Sequence, residues 1–292
     1  MANIGIADRP VIVPRRRSWR VANARLWLGG VGLTLIVLAA IFAPLLAPFD
    51  PITQHLDNRL QGPSGTYLLG TDNLGRDLLS RLLYGLRPSL VSGLVAVALG
   101  AASGTIIGLA AGYFRGWLDV LISRLLDLLI AWPAIFLALG LVLLFSPGEK
   151  QVVLSIALAE LPVFARLVRA VALTNARSEH VEAARSMGAS SLRVMRLHIL
   201  PFAVPPLVVQ FAVAAPQAVI AEASLNYLGL GTQPPNPSLG EILSDAQVTL
   251  SQAAGGTVFT VLLIALLVLC LTLLADGLQN VLDPRHQAVT TG

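Results

Sequence analysis

The 292-residue chain holds a single cysteine, Cys270, set inside an apolar run. That excludes an internal disulfide framework and any cysteine-based metal site. Charge is scarce as well: Asp, Glu, Lys and Arg make up 12% of the residues, about half the usual globular share. No GxxxxGK[ST] loop is present to cradle ATP phosphates. No Ser/His, HExxH or paired-aspartate constellation sits at a shared depth, as an intramembrane enzyme would need. Lysine is nearly missing, with Lys150 alone against 19 arginines, a coding bias that carries no functional weight. What the chain has instead is apolar substance, 55% of its residues, too much for a soluble enzyme or a disordered chain. This is the composition of a membrane protein. Its excess of four positive charges is accounted for by arginines that set topology, and nucleic acid is not implied as a partner.

An α-helix rises 1.5 Å per residue, so about 20 apolar residues cross a hydrocarbon core of about 30 Å. Four charge-free runs meet that length: Leu26–Phe49, Pro88–Phe114, Leu128–Gly148 and Ala253–Ala275. Two more are interrupted, Gln151–Ala170 by Glu160 and by arginines including Arg166, and Pro205–Leu230 by Glu222. The expectation is an all-α integral membrane protein with six transmembrane helices. The start is rich in arginine (Arg9, Arg15, Arg16, Arg17, Arg20, Arg25), but the run after it exceeds the 7–15 residues of a signal-peptide core. It reads as an uncleaved first helix. Arginine in short loops stays on the cytoplasmic side, which puts both termini there, in the cell membrane. The loop between spans four and five agrees, with Arg177, Arg185, Arg193 and Arg196 against Glu179 and Glu182. The expected organisation is a cytoplasmic segment 1–25, a first helix 26–49, an external segment 50–87, a five-helix core 88–278 and a cytoplasmic tail 279–292.

In the external segment, Thr71 or Asp72 can cap a short interfacial helix whose Leu74, Leu78, Leu82 and Leu86 recur every fourth residue. Asp77 and Arg81 can form an exposed pair on it, at i and i+4. The aspartate spacing of Gly70–Asp77 misses a calcium loop, and no metal site is expected. The prolines and glycines of Gly229–Pro237 end span five, and residues 238–247 form either another short helix or a plain loop. Within 177–206, Ser178 is a possible cap for a helix over 179–187, and Gly188 stops it. Ser190 caps a second helix to about Ile199, ahead of Leu200-Pro201. Small Ala183 and Ala184, beside Glu182, permit close approach by another protein, although capped helix pairs are also ordinary connections.

Glu182-Ala183-Ala184, Gly188 and Leu200-Pro201 resemble the cytoplasmic EAA signature of ATP-binding-cassette (ABC) importer permeases. Six motifs in order resemble the dipeptide/oligopeptide subfamily: Gly70–Asp77, Ala165–Arg169, His198–Pro201, Ala221–Leu225, Tyr227–Gly231 and Leu282–Arg285. The GTDxxGRD segment within the first is similar to the C-type permease. The likeness runs from about Leu26 to Arg285. It implies the ABC importer permease fold, with Glu182, Ala183, Ala184, Gly188, Leu200 and Pro201 in a coupling hairpin that docks on an ATPase. It implies no cofactor in this chain, ATP and Mg being bound by partners. Those partners are a homologous B-type permease, two ATPase subunits or one fused ATPase, an external substrate-binding protein and the lipid bilayer. Gly100, Gly104, Gly108 and Gly112 lie in a span, where close helix packing explains them.

The sequence departs from the resemblance at His198, where the broader signature is apolar, and at Glu160, where a neutral residue is expected. His198 has no ligand at suitable spacing and reads as a polar interfacial residue. Glu160 falls near mid-span; with Glu222 and Asn226 it is a candidate for the translocation path. The leading function is import of dipeptides or short oligopeptides. The same architecture for nickel chelates, haem or another small solute is the alternative. An ion-coupled secondary transporter, with Glu160 and Glu222 as proton sites, is the reading from a different class.

Overall fold

A computed structural model describes residues 17–282, and every regular element within them is helical. In order these are α1 (Arg17–Ile41), α2 (Ala43–Leu46), a 3₁₀ turn (Leu56–Asn58), α3 (Leu78–Phe114), α4 (Gly116–Ala131) and α5 (Ala134–Phe145). There follow α6 (Glu149–Asn175), α7 (Glu179–Ser186), α8 (Ser191–Val194), a wide π turn (Met195–Ile199), α9 (Leu200–Tyr227), α10 (Leu239–Val248) and α11 (Gly255–Leu282). The early arginines Arg9, Arg15 and Arg16, and Asp283 to Arg285 with the rest of the tail, lie outside the described residues.

By length and composition α1, α3, α6, the run Ser191–Tyr227 and α11 are each able to cross a membrane. A sixth is reached only if the bent pair α4 and α5 is counted as one broken span. The run Leu128–Gly148 is not one straight helix: α4 and α5 meet at 92°. The cause is Pro133, which has no N–H to donate and forces Trp132 out of the helical region, to φ −96° and ψ 121°.

A second difference lies at the start of α3. The short interfacial helix expected before residue 87 is the first part of a 37-residue helix, so the boundary drawn at 87/88 falls inside α3. Its cap is Asp77, whose carboxylate accepts from the Ser80 N–H at 2.8 Å, and neither Thr71 nor Asp72 takes that place. The leucines face inward. Leu78, Leu82, Leu86 and Leu90 are buried against Ile36 of α1, Val219 of α9, Leu239 and Ile242 of α10, and Leu267 of α11. That continuous apolar contact carries the helix through Pro88.

The glycines of α3 make the closest seam. A Cβ on Gly104 would stand 2.7 Å from the Leu161 carbonyl oxygen, and one on Gly112 would stand 2.6 Å from Ala172 Cβ. Backbone meets backbone between α3 and α6, as small residues permit in membranes. At the α7 end of the bundle a further cluster gathers Leu109, Val168, Ala172, Val181, Val194, Ile199 and Ala203.

Candidate functional site

The turn after α7 is built by local chemistry. Glu179 and Glu182 occupy the first turn and Arg185 the last, each complementing the helix dipole. Gly188 has φ +83°, and the Ala189 N–H reaches the Ala184 carbonyl at 3.0 Å, closing a Schellman stop. Ser178 stands at the N-cap, yet its Oγ donates to the Asn175 carbonyl at 2.6 Å and makes no capping bond to α7. Ser190 Oγ accepts from the Arg193 N–H at 3.4 Å and starts α8.

Two expectations about this segment are corrected. The second helix does not end before Leu200-Pro201; α8 and the π turn pass directly into α9, so 177–206 is not a separate hairpin. Pro201 sits in the first turn of α9, and the Leu200 N–H bonds five residues back to Met195, a widened turn that accommodates the ring without breaking the helix. The alanines also divide. Ala183 is exposed, but Ala184 is buried within the chain, together with Val181. The open face carries Glu182, Ala183 and Met187, continued by Leu192 and Leu197. Arg185 holds α7 to the end of α3, its guanidinium 4.9 Å above the Tyr113 ring.

His198 has a neighbour that its sequence position conceals. His180 of α7 lies with ring centroids 6.5 Å apart, and its Nε2 is 3.3 Å from the His198 carbonyl oxygen. Among the described residues no group of three or more His, Cys, Asp or Glu is arranged to hold a metal.

The three path candidates do not form one site. Glu222 and Asn226 are joined: Asn226 Nδ2 donates to Glu222 Oε1 at 2.7 Å, and its Oδ1 accepts from the Thr232 N–H at 2.6 Å, pinning the loop after α9. Glu222 is fully buried, with Oε2 left without a partner. Glu160 stands apart on α6, half-buried, its Cβ against Gly100 of the seam. Further along α6, Arg169 pairs with Asp119 through both carboxylate oxygens and Arg166 with Asp127, tying α6 to α4.

At the opposite end lies a cluster that local reasoning missed. The expected exposed pair of Asp77 with Arg81 does not form. Arg81 is fully buried and its Nη2 donates to both Glu241 oxygens, at 2.9 and 2.7 Å, with Asp72 and Asp245 also near it. Arg76 bridges Asp72 at 2.6 Å and Asp245 at 3.0 Å. Five charged side chains thus clamp the 70–77 turn to α10. Burial, with Asp245 alongside, raises the Glu241 carboxyl above the ordinary carboxylate range against the opposing pull of Arg81. The one trace in sequence is Glu241 and Asp245, a turn apart in a helix with no cation of its own.

Residues 104–287 match the family described as binding-protein-dependent transport system inner membrane component, and residues 19–63 match the N-terminal TM domain of oligopeptide transport permease C. The chain belongs to this transport permease family. The glutathione transport system permease protein GsiD of Pectobacterium atrosepticum is 41% identical, over 96% of this chain and 94% of its own. The dipeptide transport system permease protein DppC of Alkalihalophilus pseudofirmus is 39% identical, over 92% and 91%. The di/tripeptide permease DppC of Pseudomonas aeruginosa is 38% identical, over 98% and 97%. Among solved structures, the MetNI methionine ABC transporter in an inward-facing form aligns with a TM-score of 0.54 at 22% identity, covering 72% of this chain and 96% of that one. That likeness establishes the fold. The chain is a multi-pass membrane permease component of an ABC importer, a family whose ATPase, second permease and binding protein are separate components.

Proposed function

We propose that this permease is the C-type subunit of an ATP-driven importer of dipeptides or short oligopeptides, delivered by an external substrate-binding protein. The observation that carries the substrate class is that relatives named for glutathione, dipeptides and di/tripeptides align at 38–41% identity over 92–98% of the chain. In this reading it pairs with a homologous B-type permease and with two ATPase subunits or one fused ATPase, which hold ATP and Mg. Nickel chelates, haem or another small solute remain the alternative cargo. Uptake of labelled dipeptides by the reconstituted complex tests the reading, and uptake that needs an ion gradient but no ATP overturns it.

The α7 turn is the coupling element in this proposal. Its support is an open face of Glu182, Ala183, Met187 and Leu192 at one end of the bundle, set by a left-handed turn that Gly188 adopts without steric cost. Nothing lies within 4 Å of a Cβ built on Gly188, so Gly188→Val strains the turn without a clash. At about 1–2 kcal/mol of left-handed strain, substrate-stimulated ATP hydrolysis is expected to fall about tenfold, with the chain still inserted. Gly188→Asn should retain most of it, because asparagine tolerates this conformation. Normal coupling in Gly188→Val would remove the assignment.

The coupling turn and both termini are cytoplasmic in this reading, and the Arg81–Glu241 end is external. With Cys270 replaced, a cysteine at Ser178 should label from the cytoplasmic side and one at Ser64 from outside; the reverse pattern inverts the topology. Glu160, Glu222 and Asn226 are the path candidates in this reading, Glu160 for its mid-span place and Glu222, nearer the outside, as a gate. Glu160→Gln should leave assembly intact and alter the relative uptake of cationic, neutral and anionic peptides. Unchanged rates for all three would exclude it from the path.

A further inference from the structure

The Arg166–Asp127 ion pair stands deep along its helices, and it is open. The two helices share a depth scale, because Arg115, just before α4, donates from Nη2 to the Leu173 carbonyl near the end of α6 at 2.7 Å. At 1.5 Å per residue, Arg166 lies about 14 Å back along α6 from Asn175, and Asp127 about 16.5 Å along α4 from Gly116. The whole of α6 is about 39 Å long, so a hydrocarbon core of about 30 Å places the pair about 9 Å or more inside it.

Both side chains are 52% exposed. The shallower pair, Arg169 with Asp119 nearer the α7 end, is only 32% and 15% exposed. A lipid-facing surface would produce the opposite order, because a charge costs most at the bilayer centre and an aspartate side chain is too short to reach the interface from there. The line of α6 that runs through Arg166 is unlike a lipid face in composition as well. Val163, Arg166, Ala170 and Thr174 follow at steps of three and four residues, all exposed, from mid-span towards α7. Water suits such a line better than acyl chains.

The contact itself leaves donors over. Arg166 Nη2 donates to Asp127 Oδ1 at 2.6 Å in a single bond, whereas Arg169 meets both oxygens of Asp119. The other N–H groups of Arg166 have no partner among the described residues and stay open to a second carboxylate. Arg124, exposed on α4 three residues before Asp127, leaves the place with one positive charge in excess.

We propose that Arg166, steered by Asp127, meets the terminal carboxylate of the peptide as it crosses the α7 half of the membrane, so that the α4/α6 face lines the path there. The inference rests on the proposed peptide importer and names the part of the substrate that this residue reads. Dipeptides and oligopeptides share that carboxylate whatever their side chains, and the planar fork of an arginine grips it with two parallel bonds. Asp127 competes for the same guanidinium, which keeps the grip weak enough for release.

The test uses the assembled complex with Cys270 replaced and Val163→Cys, whose thiol stands three residues from Arg166 on the open line. A hydrophilic thiosulfonate is expected to label it. Dialanine should slow that labelling and dialanine amide should not, both added without the binding protein so that its own selectivity plays no part. In Arg166→Gln/Asp127→Asn both charges leave together and none is stranded, and about tenfold more dialanine should be needed for the same slowing. Arg166→Lys should keep the preference for acid over amide, which a role confined to tying α4 to α6 would not require. Absence of labelling would mean that lipid or the second permease covers the line, and it overturns the proposal. So does slowing that is equal for acid and amide, unchanged in the double variant, or absent with both. Failure of the wild-type complex to take up labelled peptide with ATP and binding protein overturns the importer reading instead, an outcome separate from the labelling, which needs no transport.

Discussion

Gly108→Val is expected to destabilise this permease by about 3 kcal/mol or more and to lower its thermal unfolding midpoint in detergent. The reason is what the added carbons would meet. A Cβ at Gly108 falls on the Ala165 carbonyl oxygen, with the Ala165 carbonyl carbon at 3.1 Å and Val168 Cβ at 3.0 Å. A flexible side chain could move aside; a helical backbone cannot without opening the seam between α3 and α6. The same strip holds Gly104 and Gly112, so separation at one point spreads along the seam. Gly140→Val is the control, because Gly140 of α5 is exposed and has nothing within 4 Å of its Cβ position. An unfolding midpoint for Gly108→Val equal to that of the control would show that the seam is loose.

Arg81→Leu should cost about 3–5 kcal/mol, because it strands a carboxylate away from water with no counter-charge. Glu241 loses both of its hydrogen bonds to Arg81, and Asp72 and Asp245 keep Arg76 as their cation. The clamp between the 70–77 turn and α10 then opens. Arg81→Lys is expected to rescue only in part, since one ammonium can meet the Glu241 oxygens as Nη2 does but cannot stand beside Asp72 at the same time as the guanidinium's second nitrogen does. The double variant Arg81→Leu/Glu241→Leu should recover much of the loss, because both charges leave together. Thermal midpoints of the wild type, Arg81→Leu, Glu241→Leu and the double variant in detergent measure the coupling, and strict additivity would mean that the pair contributes nothing.

Much of the fold was legible because the determining facts are local. A charge-free run has a length, and at 1.5 Å per residue that length says whether it spans a bilayer. Gly188 was readable for the same reason, since a helix stop needs a left-handed residue at one position and glycine supplies it without cost. Even the bend between α4 and α5 had a local cause in Pro133, although its 92° angle does not follow from a proline alone. The α3 glycines pointed to close packing but carried no hint of which helix they pack against.

The rest was decided by which helices meet. Leu78, Leu82 and Leu86 form the stripe that their spacing predicts, yet a stripe suits an interface and a core equally well; α10 and α11 covering it made it core. Arg81 had Asp77 one turn away and Glu241 at 160 residues' distance, and it took the distant partner. Asp77 was already engaged in capping α3, and burial makes a doubly bonded carboxylate the better neighbour for a guanidinium. Ala184 turned inward and His180 came beside His198 in the same way. By itself, then, the sequence determined where the apolar runs lie, the stop at Gly188 and the family motifs, because composition, backbone conformation and spacing are properties of neighbouring residues. Tertiary structure alone decided which face each helix buries and which charges pair, because those depend on contacts between segments that no local pattern encodes.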